Sequence, residues 1–186
     1  RTADAPQPEF SQLIALDLST IEPCMAGPVN PHQQIPLSQA ASSFTDTLST
    51  QMRDRYWSRS EYPEPICQGA VAIAAITSCT TTANPWLVIQ AALFARNAAR
   101  HGLRPKPWVK TSFSPGSRVV TDYLSASGLL IELEKVGFDV TGYGCMTCIG
   151  SSGALQPAME ALVSEGLQAV CVLSGNRNFP RRVNPS

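Results

Sequence analysis

The distribution of hydrophobic and polar positions divides this chain near Gly69. Residues 1–66 are rich in proline and polar side chains and have weak periodicity, although residues 13–18 fit a short strand and residues 38–56 carry some helical pattern. So long an irregular stretch is unusual in a compact domain unless it is functional or covers a neighbour. We therefore predict an irregular, proline-rich segment over 1–66 that packs on protein outside this chain, followed by an α/β domain over 67–186 that we expect to be incomplete at its C-terminal end.

From residue 69 onward, continuous apolar runs alternate with segments of helical periodicity. A continuous run such as residues 70–76 is typical of a strand that is buried on both faces. Strands that alternate with helices in this way form a mainly parallel sheet with right-handed crossovers, which places the chain in the α/β class. The predicted strands cover 70–76, 108–113, 138–143 and 169–173, and the predicted helices cover 86–100, 119–126, 129–136 and 157–165.

The composition of the chain limits the kinds of molecule that it is expected to bind. Basic and acidic residues both number 14, so the net charge is zero and there is no electrostatic footprint for nucleic acid or an acidic membrane. Charged residues make up 15% of the chain, against roughly 25% in an average soluble domain. A small domain with a large core is one explanation, and a surface buried against other protein is the other. Because the first residue is Arg1, we expect a piece of a longer polypeptide. No signal peptide is visible, and we expect a reducing, cytoplasmic location.

Chemically reactive side chains recur directly after the predicted strands. Cys79 follows the first strand, and Cys145 and Cys148 follow the third. Asn176 and Arg177 follow the fourth. The carboxyl ends of parallel strands meet at one edge of a sheet, which is where ligands bind in such folds. The sequence therefore predicts one composite site at this edge.

Three cysteines at one sheet edge favour iron–sulfur chemistry. Three thiolates without a fourth leave one iron of a cluster open to substrate, where it can act as a Lewis acid. Structural zinc usually needs four ligands, and His32 and His101 are isolated in the sequence. Zinc, and a redox or structural role for the CxxC motif, are the alternatives. We interpret the other three cysteines as buried or incidental: Cys24, Cys67 and Cys171.

Polar residues after the second and fourth strands suit an anionic substrate. Arg177 and Arg182 follow the fourth strand, and planar guanidinium groups bind carboxylates through two hydrogen bonds. Solvated surface arginines are the alternative, although the position at the sheet edge favours substrate contact. Asn176 either holds a substrate hydroxyl or acidic group or forms a turn. The Ser-Pro-Gly-Ser segment at 114–117 either binds an anion or is an ordinary turn and helix cap.

Several segments of the sequence resemble the aconitase family. The cysteine motifs, the Ser-Pro-Gly-Ser turn and the SGNRNF segment are specific in combination, and the resemblance extends over nearly the whole chain from Leu16. MAGPVNPH (25–32), the KPWVK run and SSGAL (151–155) resemble the iron–sulfur 2-methylcitrate dehydratase branch, whereas GYGCMTCIG resembles aconitase itself. The matching segments are LDLST (16–20), MAGP (25–28), AITSCTTTANP (75–85), KPWVKTSFSPGSRVV (106–120), GFDVTGYGCMTCIGSSGAL (137–155) and VLSGNRNF (172–179).

The resemblance implies a three-layer α/β/α domain with a mainly parallel sheet, the third of four domains in the family. It implies that Cys79, Cys145 and Cys148 hold a [4Fe-4S] cluster, and that Arg177 and Arg182 bind substrate carboxylates. The family's catalytic base lies in a domain that this chain does not contain. We therefore expect no catalytic residue within the chain, and no activity from the chain in isolation.

The activity that the resemblance implies is that of a hydro-lyase of the tricarboxylic acid cycle, which interconverts citrate and isocitrate through cis-aconitate. Dehydration of 2-methylcitrate is the alternative within the family. An iron-responsive RNA-binding protein on the same fold, which the neutral charge argues against, and a non-catalytic cluster-binding module are alternatives of other classes. The expected partners are a tricarboxylate and the remaining domains of the same polypeptide, without a membrane or nucleic acid.

Overall fold

The fold is given by a computed structural model, which describes residues 9–26, 30, 32–78, 84–175 and 182–185. Within these residues, two short antiparallel hairpins precede a parallel sheet that has helices on both faces. The strands are β1 (Cys24–Ala26), β2 (Gln34–Pro36), β3 (Tyr56–Trp57), β4 (Ile66–Cys67), β5 (Val71–Ile76), β6 (Lys110–Phe113) and β7 (Val170–Leu173). The helices are α1 (Ala40–Thr47), α2 (Thr50–Arg53), α3 (Pro85–Arg100), α4 (Arg118–Ala126), α5 (Leu130–Glu134) and α6 (Pro157–Ser164).

The central sheet consists of β5, β6 and β7, with β5 in the middle. Both neighbours run parallel to β5, which confirms the parallel sheet expected from the sequence. After β5 the chain forms β6 on one side of β5, and it later forms β7 on the opposite side of β5. A crevice of the kind that binds ligands in open α/β sheets is therefore expected between the carboxyl ends of β5 and β7.

A single parallel bridge between Phe113 and Val140 extends the sheet beyond β6. The sequence pattern predicted a full strand over 138–143, and that prediction was too long. Beyond the bridge the chain bends back toward the end of β6, where the N–H of Gly144 donates to the carbonyl oxygen of Pro115 at 2.8 Å. The bend ends the ladder and begins the loop that carries Cys145 and Cys148.

The two faces of the sheet carry separate hydrophobic cores. Ile76 is in register with Phe113, and both pack with α3, α4 and α5 on one face. Ile73 and Ala75 face the opposite way and pack with α6. These layers confirm the α/β/α arrangement. Among the described residues, the buried apolar side chains of the helices are Val88, Ala92, Ala95, Val120, Leu124 and Leu133 on the first face and Met159 and Leu162 on the second.

Local chemistry sets the ends of α3, the longest helix in the described residues. The side chain of Asn84 accepts a hydrogen bond from the N–H of Trp86 at 3.1 Å, and Pro85 occupies the first turn, where its missing N–H is not needed. Gly102 follows the helix with φ of +72°, a conformation that favours glycine. None of the helices in the described part of the chain is long and apolar enough to cross a membrane.

The segment before β5 is largely irregular. Residues 13–17 form no strand, contrary to the prediction for 13–18, and Leu18–Thr20 form a 3-10 turn instead. Asp17 caps this turn by accepting hydrogen bonds from the hydroxyl and the N–H of Ser19, and these bonds lower the pKa of its carboxyl group. The helices α1 and α2 lie within the stretch 38–56 where the sequence showed helical pattern.

Within the described residues of this segment, the apolar side chains that join a core cluster lie in its later part. The β3–β4 hairpin places Trp57 and Ile66 in the hydrophobic cluster that contains Met159 of α6. Seven large apolar side chains between residues 10 and 25 stay exposed, and none of them belongs to either core cluster. They are Phe10, Leu13, Ile14, Leu16, Leu18, Ile21 and Met25.

Candidate metal centre

The loop that carries two of the three predicted cysteine ligands follows the Val140 bridge. Thr147–Ile149 form a 3-10 turn in this loop, and Gly150 ends the turn with φ of +91°. Cys148 lies inside the turn and is only 1% exposed, whereas Cys145 lies just before it and is exposed. The loop therefore turns one sulfur toward the protein interior and leaves the other near the surface.

The Cys148 sulfur lies between the ends of β5 and β7. A β-carbon placed on Gly175, two residues after β7, would lie 2.5 Å from the Cys148 Sγ and 3.1 Å from the Oγ1 of Thr77, the residue that follows β5. One point next to Gly175 is thus within contact distance of groups from two other loops, the cysteine loop and the loop after β5. The crevice expected from the strand order contains a cysteine sulfur.

The Cys145 sulfur also reaches the end of β5. It lies 3.6 Å from the Oγ of Ser78, within the distance of a hydrogen bond that involves sulfur. Ser78 directly precedes Cys79 in the chain. The loop with the CxxC motif and the loop that leads to the third predicted ligand are therefore in direct contact.

Hydroxyl groups join the strand ends around these sulfurs. The N–H of Thr77 donates to the Oγ of Ser174 at 2.9 Å, and the two hydroxyl oxygens lie 3.3 Å apart, which connects the ends of β5 and β7. Ser114 is fully buried, and its hydroxyl is 3.0 Å from the Oγ1 of Thr141. Ser114 thus connects β6 to the start of the cysteine loop, which favours the ordinary-turn interpretation of its hydroxyl over anion binding.

Arg182 is the one predicted substrate-binding residue within the described part of the chain. Its side chain is half-buried, and its carbonyl oxygen lies 3.0 Å from the position of a β-carbon on Gly150. The next residue, Val183, is buried in the core on the α6 face of the sheet. The main chain at Arg182 therefore packs against the cysteine loop, two residues beyond Cys148.

Three predicted site residues, Cys79, Asn176 and Arg177, lie outside the described residues. Their described neighbours are Ser78 and Gly175, and each of these contacts a cysteine of the loop. Among the residues that the structure describes, no three His, Cys, Asp or Glu side chains form a metal-binding group. The assignment of these site residues stays a prediction.

The remaining cysteines and the two histidines take no part in this centre. Cys24, Cys67 and Cys171 are exposed free thiols. The first of the two interpretations, that they are buried, was therefore wrong, and the second, that they are incidental, stays a prediction. Cys171 keeps part of its surface exposed on β7, yet the surrounding atoms desolvate the thiol and raise its pKa. This shift disfavours the thiolate that metal binding requires. His32 and His101 are exposed.

The donor chemistry of the described site fits an iron–sulfur cluster. Thiolate is the ligand that such clusters use, and Cys145 and Cys148 are spaced as a CxxC pair at the carboxyl edge of a parallel sheet. Sequence reasoning located these cysteines but missed the contacts of Thr77 and Ser174. The only sequence signal for them is that each hydroxyl residue comes directly after a strand.

Comparison with known proteins identifies the family. The sequence profile described as "Aconitase family (aconitate hydratase)" matches residues 1–186. The chain belongs to the aconitase family. This confirms the resemblance that the cysteine, Ser-Pro-Gly-Ser and SGNRNF segments indicated.

Several relatives in the aconitase family, each named aconitate hydratase A, are similar to this chain over all or nearly all of its length. The protein from Deinococcus radiodurans is 46% identical over 197 residues, which cover 100% of the chain and 22% of the relative. The protein from Thermus thermophilus is 45% identical over 200 residues, with the same two coverages. The protein from Rickettsia conorii is 46% identical over 183 residues, which cover 95% of the chain and 21% of the relative. The chain spans about a fifth of the length of the curated relatives that it matches.

Proposed function

We propose that this chain is the cluster-binding part of an aconitase-type hydro-lyase that interconverts citrate and isocitrate through cis-aconitate. The observation that carries the proposal is the position of the Cys148 sulfur between the ends of β5 and β7, with the Cys145 sulfur against Ser78. The names of the relatives, all aconitate hydratase A, favour citrate and isocitrate over 2-methylcitrate.

Cys79, Cys145 and Cys148 are the residues that would hold a [4Fe-4S] cluster. When bound through three cysteines, such a cluster supplies an open iron that acts as a Lewis acid toward a substrate hydroxyl and carboxylate. The buried position of Cys148 keeps water from one side of the site and fixes the direction of its sulfur. The contact of Ser78 with the Cys145 sulfur helps to orient the second ligand.

Arg177 and Arg182 would bind the carboxylates of the substrate, and Asn176 would hold a hydroxyl or acidic group. Guanidinium groups suit this role because they bind carboxylates with two parallel hydrogen bonds. The described support for this arrangement is the packing of Arg182 against the loop of Cys148. The chain supplies binding and orientation in this proposal, and the base that removes the substrate proton comes from another part of the polypeptide.

The remaining domains of the same polypeptide are the proposed protein partner. The relatives are about five times as long as this chain. Large apolar side chains are exposed along residues 10–25, and Leu13 and Ile14 are 82% and 87% exposed. Exposed apolar patches of this kind mark protein contacts. We propose that residues 1–66 pack partly on those domains, and that the whole protein acts in the cytoplasm.

The full-length polypeptide, reconstituted anaerobically with iron and sulfide, tests the proposal. We expect it to hydrate cis-aconitate, and to do so with a higher kcat/KM than it shows for the 2-methyl analogue. A preference for the 2-methyl analogue would assign the protein to the other branch of the family. A protein that carries a cluster but hydrates neither compound would contradict the proposed activity and leave a non-catalytic cluster-binding module.

A further inference from the structure

The cysteine loop is tied to the segment of Arg182 by hydrogen bonds that no part of the proposed mechanism uses. The Oγ of Ser152 donates to the carbonyl oxygen of Val183 at 2.7 Å. The Nδ2 of Asn184 donates to the carbonyl oxygen of Gly153 at 3.0 Å and lies 3.4 Å from the Oγ of Ser152. We call this group of bonds, formed by Ser152 and Asn184, the clasp.

The clasp lies between a predicted cluster ligand and a predicted substrate-binding residue. Ser152 is four residues beyond Cys148, and Asn184 is two residues beyond Arg182. The loop is also held by β6, because the Nζ of Lys110 on that strand donates to the carbonyl oxygen of Ala154 at 2.8 Å. The hydrogen bond from Lys110 holds the cysteine loop in place, and the clasp sets the position of the Arg182 segment relative to that loop.

A close main-chain contact at Gly150 accompanies the clasp. A β-carbon on Gly150 would lie 3.0 Å from the carbonyl oxygen of Arg182, and Val183 is buried beside the loop. The approach of the two segments is thus close at the main chain as well as through side chains. A shift of the Arg182 segment would change the position of its guanidinium group relative to the cysteine loop.

We infer that Ser152 and Asn184 are positioning residues, which hold Arg182 at the distance from the cysteine loop that lets it bind a substrate carboxylate. This inference rests on the proposed function for the identity of the substrate. Neither residue touches the reacting atoms in this account. Their effect should therefore appear in substrate affinity, while the cluster and the chemical step are largely preserved.

The test uses Ser152→Ala and its neighbour Ser151→Ala in the full-length polypeptide. Both variants remove one hydroxyl, but Ser151 is exposed and its side chain is not part of the clasp. For Ser152→Ala we expect unchanged cluster absorbance after reconstitution, little change in kcat, and a rise of roughly twofold to tenfold in KM for cis-aconitate, the size of effect that one net hydrogen bond gives. Ser151→Ala should have the same cluster absorbance, kcat and KM as the unchanged protein.

A double-mutant cycle tests whether the two residues act as one unit. We expect Asn184→Ala to raise KM by a similar factor, and the double variant Ser152→Ala with Asn184→Ala to be little worse than either single variant, because residues in one network are not additive. Fully additive effects would overturn the clasp. An unchanged KM in Ser152→Ala would overturn it as well.

Trypsin digestion gives a readout that does not depend on activity. Cleavage of the bond between Arg182 and Val183, followed by mass spectrometry, should be faster in Ser152→Ala than in Ser151→Ala because the segment is released from the loop. Equal cleavage rates would overturn the inference. If the unchanged protein fails to hydrate cis-aconitate, the proposed function fails, and the cleavage rates alone decide whether the clasp holds this segment.

Discussion

Cys148 and Gly175 share one small space at the carboxyl edge of the sheet. The Cys148 Sγ lies 2.5 Å from the position that a β-carbon on Gly175 would take, and β-carbons essentially never approach another heavy atom within 3.0 Å. The sulfur cannot move aside freely because Cys148 is almost fully buried. The missing side chain at position 175 is thus a condition for placing this sulfur between β5 and β7.

Gly175→Ala should displace the Cys148 sulfur. The main chain at Gly175 does not have a positive φ that would disfavour alanine, so the added methyl group is the only perturbation. Overpacking of a well-packed site costs about 1–3 kcal/mol in the free energy of unfolding. We expect that loss in urea denaturation, together with lower iron content after reconstitution. The control is Gly142→Ala, whose methyl group would meet the flexible end of Met146 at 3.2 Å. Equal losses of stability and of iron in the two variants would contradict the claim that the Cys148 sulfur occupies the space beside Gly175.

The side of α5 that faces the core should contribute more to stability than its exposed side. Leu133 is 1% exposed in the core, whereas Ile131 on the same helix is 50% exposed. We expect Leu133→Ala to lower the free energy of unfolding by about 2–5 kcal/mol, because it leaves a cavity. Ile131→Ala should cost less than about 1 kcal/mol. Urea denaturation of the 186-residue chain measures both free energies of unfolding. A larger loss for Ile131→Ala than for Leu133→Ala would mean that Ile131, and not Leu133, faces the core.

Arg177 and Arg182 should be sensitive to replacement by lysine in the full-length enzyme. Lysine keeps the charge but loses the planar pair of donors, so one charge-assisted hydrogen bond to a carboxylate is lost. Such a bond contributes about 1.5–3 kcal/mol, which corresponds to a fall of roughly 10- to 150-fold in kcat/KM. Arg181→Lys is the adjacent control and should be nearly silent. A sensitive Arg181 beside a silent Arg182 would shift the assignment by one residue.

The thiol of Cys171 should ionise at higher pH in the folded protein than in the unfolded chain. Desolvation raises its pKa above the ordinary value of 9.0, which means that the native state holds the proton more tightly. The native state should therefore lose stability relative to the unfolded state as the pH rises above that ordinary value. Alkylation by iodoacetamide, followed at Cys171 by mass spectrometry across a pH series, should show a midpoint at higher pH in buffer than in urea. Coincident midpoints would contradict the desolvation.

The sequence predicts a strand well where that strand is buried on both faces, because such burial requires a continuous run of apolar residues. The run at 70–76 gave β5 to within one residue because this strand lies between two others and is covered on both faces. The run at 138–143 did not give a strand. Phe138 and Val140 are apolar because they pack on the core beside Phe113, and packing on a core does not require a full ladder of hydrogen bonds.

The site could be predicted only in part. The cysteines stood out because thiol side chains are rare and each came after a strand. The contact of Thr77 with Ser174 could not be foreseen, since the two residues are 97 positions apart and their pairing depends on β7 lying beside β5. The same holds for Ser152 and Asn184, because common polar residues give no signal until the chain brings them together.

Anaerobic reconstitution of the full-length polypeptide with iron and sulfide tests the central claim most directly, because it asks which cysteines hold the cluster. The unchanged protein should develop a broad absorbance in the blue part of the visible range, and serine at Cys79, Cys145 or Cys148 should abolish it. Serine at Cys24, an exposed thiol outside the site, is the matched control and should leave the absorbance unchanged. Loss of the absorbance in Cys24→Ser, with its retention in Cys79→Ser or Cys148→Ser, would contradict the account.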